Sequence, residues 1–401
     1  MESTSIFSER VQKIQPSATL AVDARARELK ARGVDLISFG AGEPDFDTPD
    51  NIKQAAIEAI HQGFTKYADV SGTQDLKEAI LAKFQRDYGI SYQPQEIIVS
   101  CGAKHSLYNI FQVLLDKGDE VLLPAPYWSS YADMILLTGA RVKVIRTKAK
   151  EGFRLHGDGL KKAIGTRTKM LILNSPSNPT GACLPKEDLQ EIGKIVQEKG
   201  IWVVTDDIYE KLIYDRFEWR SIASVAPEIR DHCLVVNGVS KAYAMTGWRI
   251  GFTAGPAEVI GQMSKLQSQS TSNPNSIAMK AAVEALNGPQ ESVEKMRQEF
   301  EKRRNFVVDR LSAIPHIQCF RPQGAFYVFP DVSKWYGREY QGKKIENSSS
   351  FAEFLIDAVQ VAVVPGVAFG EDHSIRLSYA ASMENIQKGL TRLHDALLAL
   401  R

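Results

Sequence analysis

Cysteine is scarce. Cys101, Cys183, Cys233 and Cys319 are the only four in 401 residues, and no two form a C-x-x-C pair. That argues against a disulfide framework and a thiolate zinc site. Sparing use as small apolar residues fits a reducing cytosol. An excess of charge is also missing. Lys and Arg number 49 against 48 Asp and Glu, a formal net charge of +1. That balance favours neither a nucleic acid nor an anionic membrane as partner. No apolar stretch reaches the roughly 18 residues of a membrane span. Met1-Glu2-Ser3-Thr4-Ser5 has no basic region leading into an apolar core. No signal peptide is therefore expected, and the expected location is cytoplasmic. Internal repeats and low-complexity tracts are absent. So are G-x-G-x-x-G and G-x-x-x-x-G-K-[ST], which disfavours nicotinamide-dinucleotide and P-loop chemistry. The seven His residues do not cluster, and no metal site is expected.

What is present is an ordinary globular composition, 44% hydrophobic and 24% charged, which excludes a disordered chain. The chain is longer than one hydrophobic core usually serves, so two domains are expected. Short apolar runs punctuate its middle: Ile97-Ile98-Val99, Val121-Leu122-Leu123, Val142-Lys143-Val144-Ile145, Met170-Leu171-Ile172-Leu173, Trp202-Val203-Val204 and Leu234-Val235-Val236. Most lack the alternation of a half-solvated strand and read as buried on both faces. Between the first two, Leu107, Ile110, Phe111, Leu114 and Leu115 trace one face of a helix. The fold class is therefore α/β, a large domain with a mostly parallel central sheet flanked by helices. The C-terminal third differs. Residues 289 to 312 predict a long, charged, exposed helix. Val361-Ala362-Val363-Val364 and Ile375-Arg376-Leu377 predict further strands, and Ile386, Leu390, Leu393, Leu397 and Leu400 predict a last amphipathic helix. The expected division is a large domain at 46–288 and a smaller α+β domain from 1–45 and 289–401.

Four segments could carry chemistry, and each follows a predicted buried strand. In Ser240-Lys241 through Arg249-Ile250-Gly251, a poorly solvated Lys241 would favour its neutral amine, a nucleophile toward carbonyls. Ser240 and Arg249 suit an anion such as phosphate. The same segment alone also reads as a surface turn. Asp206 ends a strand, where open α/β sheets bind ligands, and could hold a cationic ring nitrogen. Either it or Asp207 could instead cap a helix, and Asp207 suits that role. Asn178, in Asn174-Ser175-Pro176-Ser177-Asn178-Pro179-Thr180-Gly181, sits in a loop made rigid by two X-Pro steps and a glycine. Ser100-Cys101-Gly102-Ala103-Lys104 opens a helix, where free N–H groups bind phosphate. Together the four offer a phosphate pocket, a hidden amine, a carboxylate and a polar loop.

That set resembles the class I (fold type I) pyridoxal-phosphate-dependent aminotransferases. Ser240-Lys241 through Gly251 is similar to their cofactor-attachment signature. The Asn178-Pro179-Thr180-Gly181 loop, Asp206 with Tyr209, Tyr67, Trp128 and Arg376 resemble family positions in the same order. The likeness covers essentially the whole chain. It points to the prokaryotic aspartate aminotransferase subgroup through Pro16-Ser17-Ala18-Thr19, Ala41-Gly42-Glu43-Pro44-Asp45-Phe46 and Val364-Pro365-Gly366.

The resemblance implies pyridoxal 5′-phosphate held by Lys241 as a Schiff base, with the freed amine moving protons. Asp206 would pair with the pyridinium nitrogen. Tyr209 and Asn178 would bond the ring 3′-oxygen, and Trp128 would stack on the ring. Gly102, Ala103, Ser240 and Arg249 would hold the phosphate. Tyr67 would reach it from a neighbouring subunit, which implies a homodimer. Arg376 would take the substrate α-carboxylate, with a backbone contact from Gly42. Lys104 would read a distal carboxylate, helped by Ser17, Thr19 and Ser268. His105 would only border the site. The implied reaction moves the amino group of L-aspartate to 2-oxoglutarate by a ping-pong mechanism, with amino acids and 2-oxo acids as small-molecule partners. The alternatives are an aromatic or prephenate aminotransferase, or another fold type I enzyme such as a β-lyase. Gln15, uncharged before Pro16, adds no support for prephenate. A cofactor-binding transcription regulator would need a DNA-binding region and a basic segment, neither of which the sequence offers.

Overall fold

In the computed structural model, which describes residues 6–400, the first strand β1 is short (Ile37–Ser38). Met1–Ser5, on which the signal-peptide expectation rests, lies outside the described residues. The next seven strands form one sheet: β2 (Ile97–Ser100), β3 (Glu120–Ala125), β4 (Arg141–Arg146), β5 (Thr168–Asn174), β6 (Trp202–Asp206), β7 (Cys233–Gly238) and β8 (Gly251–Ala254). Their order is β2-β8-β7-β6-β5-β3-β4. Pairings are parallel from β7 to β4, whereas β8 is antiparallel to both β2 and β7.

The continuous apolar runs have the expected cause. Val99, Leu171, Val203 and Val235 point into one core, and Ile98, Met170, Val204 and Leu234 into another on the opposite face. Helix Ala103–Leu114 covers the second face with Leu107, Ile110 and Phe111. One run departs from that reading. β4 is the edge strand and is only partly covered, with Val144 42% exposed. One strand gave no apolar run to find. Gly251-Phe252-Thr253-Ala254 is short and half non-hydrophobic, yet β8 is buried throughout.

The C-terminal third builds β9 (Tyr327–Val328), β10 (Glu339–Tyr340), β11 (Lys343–Lys344), β12 (Val361–Ala362), β13 (Val364–Pro365) and β14 (Ile375–Ser378). β13, β14 and β9 make an antiparallel sheet in that order, and β10 and β11 a hairpin. β1 pairs parallel with β12, which ties the N-terminal segment to this part of the chain. Helix Met383–Ala399 buries Ile386, Leu390, Leu393 and Leu397, as its spacing predicts. Helix Glu291–Ser312 is less exposed than its charges suggested. It buries Phe300, Val307 and Leu311, and also Arg303 and Arg304. Arg304 donates twice to Asp215, at 2.7 Å each, and Arg303 donates to Asp45 at 2.6 Å. Part of the charge on this helix therefore serves buried pairs.

Candidate active site

The parallel strands deliver their carboxyl ends to one edge of the sheet, the edge where open α/β sheets take ligands. β8 runs the other way, so its start lies at the same edge. Gly251 is in register with both Ser100 and Gly238. That reversal brings Arg249, just before β8, beside the turn that follows β2. Arg376 on β14 and Gly42 beyond β1 face the same edge. A cavity of about 400 Å³ lies between them, lined among others by Lys241, Asp206, Asn178, Arg249 and Arg376.

Lys241 follows β7 and is partly buried at the cavity wall. Its Nζ donates to the Gly42 carbonyl at 2.6 Å. Burial lowers its pKa to about 8, with Arg249 and Arg376 pushing the same way and Glu43 and Asp206 opposing. An amine there is substantially neutral at mildly alkaline pH. Asp206 ends β6. It accepts from the Tyr131 hydroxyl at 2.7 Å and from Ile208 N–H at 3.4 Å. Burial raises its pKa to about 6, against the lowering effect of those bonds and of Lys241. Its neighbour Asp207 does not cap a helix, contrary to expectation. The chain after it forms a turn, and Asp207 accepts from the Thr205 hydroxyl at 2.6 Å.

The anion cradle is tight. Gly102 has φ +88°, and a Cβ on it would lie 2.3 Å from Arg249 Nη2. Only glycine allows the guanidinium that close. Arg249 itself sits in the left-handed region and is held by the carbonyls of Thr246 (2.8 Å) and Cys101 (3.4 Å). Helix Ala103–Leu114 points its free N–H groups into the same place, and Ser240 lines it.

Arg376 is fully enclosed. It donates from Nη1 to Asn178 Oδ1 at 3.0 Å and from Nη2 to the Gly40 carbonyl at 2.6 Å, while Nε has no partner among the described residues. The Tyr327 ring lies under it at 4.6 Å. Burial lowers its pKa, opposed by Tyr327, Tyr209 and Asp23. A bound carboxylate would complete an arginine placed this way.

The Aminotransferase class I and II family model matches residues 34–393. The chain belongs to that family. It is 48% identical to the "Probable aspartate/prephenate aminotransferase" of Rickettsia felis, over 98% of this chain and 96% of that protein. It is 47% identical to the "Aspartate aminotransferase" of Bacillus sp. (strain YM-2), over 97% of this chain and 98% of that one. Among solved structures, the aspartate aminotransferase of Thermus thermophilus with maleate superposes with a TM-score of 0.92. It is 45% identical and covers 97% of this chain and 99% of that one.

The cavity gathers most of the residues singled out in the sequence. Gly42, Ala103, Lys104, Trp128, Tyr209 and Thr19 line the cavity with those already described. Tyr209 shares a hydrogen bond with Tyr327, hydroxyl to hydroxyl, at 2.9 Å. Lys104 Nζ sits 4.9 Å from the centre of the Trp128 ring, and its pKa is lowered by desolvation and then by Arg249. Thr19 Oγ1 is buried without a partner among the described residues. His105 Nδ1 accepts from Cys101 N–H at 3.3 Å. Two residues stand apart from this chain's cavity. Tyr67 is 92% exposed, and Ser268 is exposed with its hydroxyl donated to the Lys265 carbonyl at 2.7 Å.

Sequence reasoning missed Tyr131, Tyr327 and Asn174. Asn174 Nδ2 donates to the Asp206 carbonyl and its Oδ1 accepts from Asn178 N–H, both at 2.8 Å, so it locks two strand ends together. It also missed Asp23 on helix Ala18–Ala31, which lines the cavity four residues after Thr19. Burial raises its pKa, against Arg376 and Arg27. The i, i+4 spacing of Thr19 and Asp23 was the available signal. Among the described residues, no group of three or more His, Cys, Asp or Glu could hold a metal ion, and no helix is long and apolar enough to cross a membrane.

Proposed function

We propose that this aminotransferase moves the amino group of L-aspartate to 2-oxoglutarate, using pyridoxal 5′-phosphate held in the cavity between Lys241, Asp206 and Arg249. The observation that carries the reading is one partly buried amine sharing a cavity with a buried carboxylate and a fully enclosed arginine. The residues fit the cofactor on their own chemistry. The Gly102–Arg249 contact is a cradle that a Cβ would fill, as a phosphate site needs. Asp206 has a carboxylate with only two hydrogen bonds, room for a ring N–H. Lys241 is the less exposed of the two lysines lining the cavity.

When bound, pyridoxal phosphate supplies an aldehyde to take up the amino group and a cationic ring to draw off electrons. The protein does the rest. Lys241 Nζ, its pKa brought down to about 8, would take the proton from the donor Cα and return it to the carbon that was the cofactor's aldehyde. Asp206 keeps the ring nitrogen protonated, and Tyr209 and Asn178 bond the ring oxygen. Arg249, Ser240 and the N–H groups of Gly102 and Ala103 anchor the phosphate. Trp128, on the cavity wall, would pack against the ring. Arg376 grips the α-carboxylate, already aligned by Asn178 and Gly40, with Gly42 beside it. Lys104 would meet the distal carboxylate, with Ser17 and Thr19 as hydrogen-bond partners, and Ser268, outside this chain's own cavity, would join them only from a second subunit. Both half-reactions use this one site in turn.

The aspartate assignment draws on the names of the relatives and on the maleate, a dicarboxylate, in the Thermus structure. One relative's name adds prephenate. A homodimer is part of the reading. Tyr67 stands free, and Ile57 and Ile60 on the nearby helix Asp50–His61 are also exposed. Division at 46–288, with 1–45 and 289–401 as the smaller domain, and a cytoplasmic location with free cysteines complete it. The test is a panel of donors on purified holoenzyme: aspartate, glutamate, phenylalanine, prephenate's amino product and cystathionine. Aspartate should rank among the best. A strong preference for an aromatic donor, or release of pyruvate from cystathionine, would overturn it.

A further inference from the structure

Gln267 lies at the end of helix Ala257–Ser268 and is 0% exposed. Its side-chain amide makes four hydrogen bonds, which uses its full capacity. Oε1 accepts from Ser100 Oγ at 2.8 Å and from Asn109 Nδ2 at 3.1 Å. Nε2 donates to the carbonyls of Val70 at 2.7 Å and Val99 at 2.8 Å. The partners come from distinct places. Val99 and Ser100 end β2, directly before the Cys101-Gly102-Ala103 turn. Asn109 is on the helix that this turn opens. Val70 belongs to the loop that carries Tyr67.

That loop is also clamped onto β2 by other contacts. Val99 N–H donates to the Ser71 carbonyl at 2.9 Å, and a Cβ on Gly72 would fall 2.5 Å from Val99 Cγ2. Nearer Tyr67, the Ser276 hydroxyl donates to the Lys66 carbonyl at 2.8 Å. Backbone and loop are thus in contact already. What Gln267 adds is a single planar group that fixes the end of β2, the helix start and the loop in one geometry.

We propose that Gln267 is a positioning residue. It sets the phosphate-binding turn of its own site and, through Val70, the Tyr67 segment offered to the partner's site. This rests on the reading of Gly102, Ala103, Ser240 and Arg249 as the phosphate anchors and of Tyr67 as a group lent across a dimer. Gln267 touches neither substrate nor cofactor. A change there should therefore be felt through the phosphate, while the rest of the ring site is spared.

The test compares pyridoxal 5′-phosphate with pyridoxal, which lacks the phosphate. Cofactor affinity is measured by dissociation from wild-type holoenzyme and from Gln267→Leu and Gln267→Glu. Leu removes all four bonds. Glu keeps the shape and one acceptor oxygen but turns a second oxygen on the Val70 and Val99 carbonyls, so it serves if the Leu chain fails to fold. Either variant should lose at least tenfold in affinity for the phosphorylated cofactor and less than twofold for pyridoxal. Hydrogen exchange of the holoenzyme should rise together in peptides covering 66–73 and 99–106, and not across the chain. Equal losses for both compounds, or no loss for either, would overturn the inference and leave the phosphate reading standing. Wild-type enzyme that binds both compounds equally would overturn the phosphate reading, and this inference with it.

Discussion

Tyr131 donates its hydroxyl to Asp206 Oδ2 at 2.7 Å, and both residues are buried. The only other donor to that carboxylate among the described residues is Ile208 N–H, at 3.4 Å. The result is a largely buried carboxylate with spare acceptor capacity at the cavity wall. Burial therefore wins over hydrogen bonding, and the pKa rises to about 6. A cation brought to Asp206 gains an unusually hungry partner. That links the local structure of β6 to the chemistry proposed for the ring nitrogen.

Removing that charge should stabilise the protein without its cofactor. The folded-state pKa of Asp206 lies above its ordinary 3.8. Folding therefore loses stability as pH rises from about 4 to about 6, and the deficit persists at higher pH. Asp206→Asn cannot ionise. Cofactor-free Asp206→Asn should be more stable than wild type at pH 8, by at most about 3 kcal/mol, with a higher unfolding temperature, and the advantage should fade toward pH 4. It should also bind the cofactor more weakly. Thermal unfolding across pH checks this, and a constant difference at all pH values would contradict it.

Lys241 should show its lowered pKa directly. Only the neutral amine attacks an aldehyde, and burial sets half-neutrality near pH 8 in place of the ordinary 10.5. In cofactor-free protein, the rate at which Lys241 captures a small aldehyde should climb through about pH 8 and level off above it. A midpoint near 10 would mean a solvated lysine. Lys241→Ala should lower turnover by about 10²–10⁴-fold or more.

Lys104 should discriminate among donors. Its ammonium stands over Trp128 at the cavity wall. A charged hydrogen bond to a distal carboxylate contributes about 1.5–3 kcal/mol. Lys104→Ala should cut kcat/KM for aspartate and glutamate by about tenfold to a hundredfold and leave phenylalanine nearly unchanged. Steady-state kinetics with the three donors would show it. Equal losses would remove Lys104 from the specificity role.

Much of this was legible in the sequence for a physical reason. Strands buried on both faces must be apolar throughout, so β2, β5, β6 and β7 announce themselves. Candidate ligand groups follow such strands, so Lys241, Asp206, Asn178 and Gly102 could be found by looking just past them. β8 could not, because Gly251 and Thr253 break any run. Tyr131 and Tyr327 were hidden for another reason. Tyr131 meets Asp206 across 75 residues of chain, and Tyr327 meets Tyr209 across 118. No local pattern encodes such meetings. Arg304 shows the opposite failure. A charge-rich helix looked solvated, yet this arginine is 0% exposed, its guanidinium held by Asp215 and the Pro322 carbonyl.

The most direct test concerns the amine itself. Holoenzyme is reduced with borohydride, digested, and searched by mass spectrometry for the pyridoxyl group. The account predicts one labelled lysine, Lys241, and loss of the label in Lys241→Ala. A label on any other lysine, or none after reduction of active enzyme, would contradict it.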